Sequence, residues 1–170
     1  MNPFVYAGLP CRVVFGVGSL MQLPSEVERL GAGRVLILST PEKSLNLQRA
    51  TQILGDRVAA VYDKPVMHVP LAIAEEARHL AQELGADCCV TVGGGSTTGL
   101  GKAIALTSDL PILAVPTTYA GSEMTPIYGL TDAGMKKTGR DARVLPKTVI
   151  YDPALTLTLP PALSAASGMN

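Results

Sequence analysis

The residues best suited to chemistry lie in one run, Val90-Thr91-Val92-Gly93-Gly94-Gly95-Ser96-Thr97-Thr98. A stretch of strand formers ends there in three glycines and three hydroxyl side chains, and helical spacing follows. The run predicts a buried strand turning directly into a helix. At such a turn glycines let the backbone approach a phosphate closely, while the open N–H groups and dipole of the helix favour an anion. The hydroxyls of Ser96, Thr97 and Thr98 add donors. The spacing is not the dinucleotide fingerprint G-x-G-x-x-G, whose third glycine would fall on Thr98. It is not the P-loop either, because Gly101-Lys102 is followed by Ala103 and Ser96 replaces that motif's first glycine. A tight strand–helix turn that needs glycine only for its geometry is the other reading of the same residues.

A second polar turn, Pro116-Thr117-Thr118-Tyr119-Ala120-Gly121-Ser122-Glu123, follows the next aliphatic run. In an open parallel sheet the loops at the carboxyl ends of neighbouring strands share one crevice. A glycine-rich and a hydroxyl-rich loop are therefore expected to face a single nucleotide. The two histidines, His68 in a loop and His79 within a helix, are too few and too far apart for a metal site. His68, on the carboxyl side of a strand, is the one with a conceivable site role. No Ser-His-Asp or Cys-His arrangement can be argued. The three cysteines, Cys11 and the adjacent Cys88 and Cys89, read as buried free thiols of a reducing compartment.

The elements that must position these loops alternate along the chain. After an expected hairpin in the first fifteen residues, turning at Gly8-Leu9-Pro10, Leu20, Leu23, Val27 and Leu30 recur at helical spacing. Strands are predicted at 34–39, 58–62, 88–92, 112–115 and 148–151. Helices are predicted at about 42–54, from Ala74 to Leu84, and at 97–107. Residues 116–139 read as polar and turn-rich, and a small-residue segment at the end looks set to begin a helix. Alternation of this kind predicts a layered α/β/α fold with a parallel sheet covered on both faces.

Composition agrees. Of 170 residues 47% are hydrophobic and 16% charged, enough apolar material for a core. Seventeen glycines and thirteen prolines mark many specific turns, and the absence of Trp with only two Phe marks an aliphatic core. Fourteen basic and fourteen acidic residues cancel, which excludes nucleic-acid binding by charge alone. No 18-residue apolar run or signal-peptide pattern is present, so a soluble, cytoplasmic chain with no membrane partner is expected.

With GGGSTTGLGKAIAL, PTTYAGSEMT and LPPALSAASGMN in hand, the sequence resembles the amino-terminal part of the iron-containing alcohol dehydrogenase superfamily. Within it the maleylacetate reductases are the nearest resemblance, over essentially the whole chain. The resemblance implies a Rossmann-like NAD(P)-binding α/β domain over residues 1–170, a fold shared with dehydroquinate synthases. An all-helical carboxyl-terminal domain is expected to follow, with the active site between the two. The implied reaction reduces the carbon–carbon double bond of maleylacetate to 3-oxoadipate with NADH or NADPH, in aromatic-compound degradation. Gly93, Gly94, Gly95 and Ser96 would hold the pyrophosphate, with Thr97 beside them. Thr117, Thr118 and Ser122 would line the nucleotide cleft, and Lys137 would touch the cofactor. Tyr119 and Thr125 are the candidates for the nicotinamide or substrate side. Lys136 or Lys137 would suit the substrate's carboxylates or a phosphate. Thr40 stands where the family carries an Asp that reads the ribose, so both cofactors should be accepted.

Three further positions depart from the family pattern. Gly99 replaces the Asp and Gly101 the Ala of GGGS-x-x-D-x-A-K. Gly168-Met169-Asn170 replaces G-M-D, whose Asp is a metal ligand in metal-dependent members. A neutral amide is a weaker ligand for a divalent ion, so this branch is expected to work without metal. The expected partners are the small-molecule substrate, the helical domain and a second copy in a homodimer. A metal-dependent alcohol or glycerol dehydrogenase, a dehydroquinate-synthase-like lyase and a non-catalytic nucleotide-binding module are the alternatives.

Overall fold

Uncharged aliphatic segments become wholly buried strands: β2 (Val35–Leu38), β4 (Cys88–Gly93) and β5 (Ile112–Pro116) have no exposed residue. The computed structural model describes residues 8–9, 11–40, 45–64, 69–132 and 134–169. With β1 (Arg12–Phe15), β3 (Val58–Tyr62) and β8 (Thr148–Tyr151), these strands form a six-stranded sheet of order β1-β8-β5-β4-β2-β3, with every pair parallel. Parallel strands need crossovers, and helices α1 (Leu23–Arg29), α2 (Leu45–Leu54), α3 (Leu71–Glu83) and α4 (Gly95–Ser108) supply them. A last helix, α5 (Pro161–Gly168), follows β8.

The period of two along each strand divides the core. Val35, Ile37, Cys88, Val90 and Val92 face one layer, with Leu23 and Val27 of α1 and Leu47, Ala50 and Leu54 of α2. Leu36, Leu38 and Cys89 face the other, with Ala74, Ala77 and Ala81 of α3 and Leu100, Ala103 and Ile104 of α4. The predicted three-layer arrangement is thus present.

Chain order reverses beside β2. Strand β3 lies on one side of it and β4 on the other, so the connections leaving β2 and β4 diverge and open a crevice at their carboxyl ends. Thr40 and the glycine run both sit at that edge. Ser39 fixes it, its hydroxyl donating to Val92 O at 3.1 Å and its amide to Tyr62 O at 3.0 Å.

Two expectations need correction. The polar segment 116–139 is not all turn: it contains an antiparallel hairpin, β6 (Ile127–Asp132) and β7 (Met135–Arg140), outside the main sheet. Gly134, at φ +79°, makes its tight turn. Helix α4 begins at Gly95, two residues before the expected start, so the glycines supply its first turn. Of the expected amino-terminal hairpin, residues 1–7 and Pro10 lie outside the described residues, as does His68. The described strand, β1, pairs parallel with β8 at the sheet edge.

Candidate functional site

The site grows from the β4–α4 junction. Gly94 caps α4 with no side chain to occupy the helix's first amides, and the first helical bond runs from Thr98 N to Gly94 O at 3.1 Å. By helix geometry the N–H groups of Gly95, Ser96 and Thr97 then point out of the helix end. Gly95 is half-buried and Ser96 exposed, so this end of α4 reaches the surface. A 14-residue helix directed at a cleft favours an anion there.

The glycines themselves have an internal reason. A Cβ on Gly93 would collide with Thr97 Oγ1, and one on Gly94 would lie 3.0 Å from Thr118 Cγ2. One on Gly95 would meet Ala120 Cβ at 3.2 Å. All three directions lead into protein, Gly93 toward the first turn of α4 and Gly94 and Gly95 toward the loop after β5. That loop is tied to the turn by Thr117 N donating to Gly93 O at 3.0 Å. The two loops expected to share a crevice are therefore in direct contact.

Beside them lie two adjoining cavities. One, of about 380 Å³, is lined by Ala120, Gly121, Ser122, Thr125, Lys136 and Thr138 among others. The other, of about 210 Å³, is bounded by Gly95, Ser96, Gly99, Lys102 and Lys136. Ser122, Ile127, Tyr128, Gly129 and Lys136 border both. The cleft thus runs between the start of α4, the 120–125 loop and the inner face of the β6–β7 hairpin.

The predicted residues divide within this frame. Gly95, Ser96 and Ser122 line the cleft, and Thr118 supports Gly94. Thr97 is wholly buried, and its hydroxyl has no hydrogen-bond partner among the described residues; it braces the turn from beneath. Thr125 accepts a hydrogen bond from Lys102 at 3.1 Å. Tyr119 lies apart from Thr125. Its hydroxyl and Thr156 Oγ1 are 3.3 Å apart, and it lines a separate cavity of about 420 Å³ with Phe15, Glu123 and Tyr151. Lys137, expected at the cofactor, pairs with Asp132 at 3.1 Å on the other face of the hairpin. Alternation along β7 puts Lys136 on the cleft side instead. His79 borders a surface hollow with Lys64, Glu76 and Glu83, away from the glycine turn. Asn170 lies outside the described residues.

One residue central to the site was missed by sequence reasoning. Lys102 is 0% exposed. Its Nζ donates to Ser122 O at 2.6 Å, Ile127 O at 2.7 Å, Thr125 O at 2.8 Å and Thr125 Oγ1 at 3.1 Å. Burial pushes its pKa down to about 8, and the charge of Glu123 opposes the fall. Glu123 is itself buried, accepting a hydrogen bond from Tyr151 at 2.7 Å. Burial, followed by that bond, raises the Tyr151 pKa. The available signal was a lone lysine in an otherwise uncharged helix, GSTTGLGKAIALTS.

Among the described residues no group of three or more His, Cys, Asp or Glu side chains could hold a metal ion, and no helix is long and apolar enough to cross a membrane. Over its full length the chain is 60% identical to maleylacetate reductase of Burkholderia cepacia, covering 48% of that protein. The crystal structure of maleylacetate reductase from Agrobacterium tumefaciens superposes with a TM-score of 0.93 at 48% identity, over 100% of this chain and 49% of that one. Sulfoacetaldehyde reductase from Bifidobacterium kashiwanohense in complex with NAD+ matches at a TM-score of 0.90 and 26% identity, over 98% of this chain and 51% of that one. The chain spans about half the length of the curated relatives it matches. The model of the iron-containing alcohol dehydrogenase family matches residues 10–153, which takes in the sheet, the glycine turn and the cleft beside it, and the chain belongs to that family.

Proposed function

We propose that this chain is the nucleotide-binding part of a maleylacetate reductase, a domain over residues 1–170 that works with a helical carboxyl-terminal domain. The observation that carries the reading is 60% identity along the entire chain to a reductase of that name. The cleft supports it. The amides of Gly95 and Ser96 at the positive end of α4 would hold the pyrophosphate, with the hydroxyl of Ser122 and the ammonium of Lys136 beside it. Thr40 at the crevice offers a hydroxyl to the ribose and carries no charge to repel a 2′-phosphate, so both NADH and NADPH are accepted. When bound, the reduced nicotinamide supplies the hydride that, with one proton, saturates the carbon–carbon double bond of maleylacetate. Tyr119 and the cavity it lines would face the substrate side.

The reaction is proposed to proceed without metal. Residue 170 offers an amide where metal-dependent members of the family offer a carboxylate. The test is a fluorescence titration of the chain with NADH and NADPH, with and without EDTA, alongside metal analysis. Both cofactors should bind with affinities within about tenfold, roughly 1.4 kcal/mol, and EDTA should change nothing. Stoichiometric iron or zinc would redirect the reading to a metal-dependent dehydrogenase, and no binding of either nucleotide would end it.

A further inference from the structure

Lys102 is the one charged residue of α4, and none of its surface is exposed. A buried ammonium is costly unless its protons are fully engaged. Here four oxygens surround it, three of them backbone carbonyls of Ser122, Thr125 and Ile127. These carbonyls belong to a single stretch that leaves the β5 loop through a short turn (Ser122–Met124) and enters β6. The Ser122 carbonyl also accepts from the Thr125 amide at 3.2 Å, while the lysine supplies the carbonyls of Thr125 and Ile127 with hydrogen bonds and ties all three to α4. From the opposite side Glu123 of the same stretch is held by the Tyr151 hydroxyl on β8. Ser122, Thr125 and Ile127 form one wall of the cleft, facing the open end of α4.

Resting on the nucleotide-binding reading, we propose that Lys102 is a positioning residue of the cofactor cleft: its ammonium fixes the backbone of residues 122–127 at a set distance from α4, and thereby places Ser122 opposite the helix end. Lys102 borders the smaller cavity, but its donors all point into the wall. It acts through the backbone it holds.

The test compares wild type, Lys102→Met, Ser122→Ala and the double variant of the 170-residue chain. Amide hydrogen exchange and NADH titration are the measurements. Lys102→Met should speed exchange in residues 121–127 about tenfold or more, with β4 and the body of α4 as slow as in wild type. NADH affinity should fall about tenfold, and Ser122→Ala should weaken binding in wild type yet add little in the Lys102→Met background. Unchanged exchange in the segment overturns the proposal. So does acceleration spread evenly over the chain, the mark of a general loss of stability, or additive effects of the two substitutions. If wild type binds neither NADH nor NADPH, the nucleotide reading fails, and the exchange pattern still decides whether Lys102 fixes the wall. If Lys102→Met does not fold, Lys102→Arg takes its place. A planar guanidinium cannot match the compact ammonium's four acceptors, so the same local loosening is expected, and its absence overturns the proposal.

Discussion

At the scale of single residues, the glycine turn shows that one motif can answer two demands. Three glycines before a helix suggest room for a phosphate, yet the missing side chains of Gly93, Gly94 and Gly95 would each strike another part of the protein. Gly94→Val is therefore expected to do more than block a ligand. With Thr118 Cγ2 and Oγ1 only 3.0 and 3.1 Å from the new Cβ, the Thr118 side chain must give way. Stability should fall by about 1–3 kcal/mol, along with NADH affinity. Urea unfolding read beside the NADH titration checks this, and an unchanged midpoint would show that Thr118 yields freely. Thr97 tests the same turn differently. Its buried hydroxyl lacks a described partner, and such a group is destabilising. Thr97→Val should raise stability by about 1 kcal/mol and leave cofactor affinity unchanged. A clear loss of affinity would make the hydroxyl a cofactor contact after all, as the family resemblance implied.

At the scale of elements, the β6–β7 hairpin decides which lysine faces the cleft. Its strands, IYGLTD and MKKTGR, show no apolar alternation, which is why the segment reads as loop. An isolated two-stranded hairpin is marginal by itself. This one is extended at its open end by Asp141 N donating to Pro126 O at 2.9 Å, and braced from outside by Thr131 N donating to Val69 O at 3.1 Å and by the Lys102 bond to Ile127 O. Once paired, period two fixes the facing. Lys136 shares the cleft side with Gly129 and Thr138, while Lys137 meets Asp132 on the other. Lys136→Ala is expected to weaken NADPH binding about tenfold, roughly 1.4 kcal/mol, and to reduce its salt dependence. Lys137→Ala loses only an exposed ion pair worth about 0–1 kcal/mol and should bind as wild type does. Titrations at low and high salt separate the two, and equal losses would mean that the hairpin turns over when cofactor binds.

At the scale of the whole molecule, the sheet divides the core so sharply that adjacent cysteines enter opposite layers, Cys88 with α1 and α2 and Cys89 with α3 and α4. Burial drives the Cys89 thiol up to about 12 and raises that of Cys88 as well, while Cys11 is only half-buried. A thiol reagent at pH 8 should find at most Cys11 in the native chain and all three after unfolding; rapid native reaction of two or three would show that the layers open readily. The alternation of strand and helix, the spans of the buried strands and the inward alanines of α3 were all legible in the sequence, because hydrophobic period is a local property of the chain. So were the glycine turn and the hydroxyl loop, whose residue types are chosen for their backbone. Their partners were not legible. The sheet order that opens the crevice beside β2, the facing of Lys136 and the capture of carbonyls 20 to 25 residues away by Lys102 are contacts between distant segments. Local periodicity carries no record of them, and only the packing of α4 and the hairpin onto one sheet decides where those side chains meet.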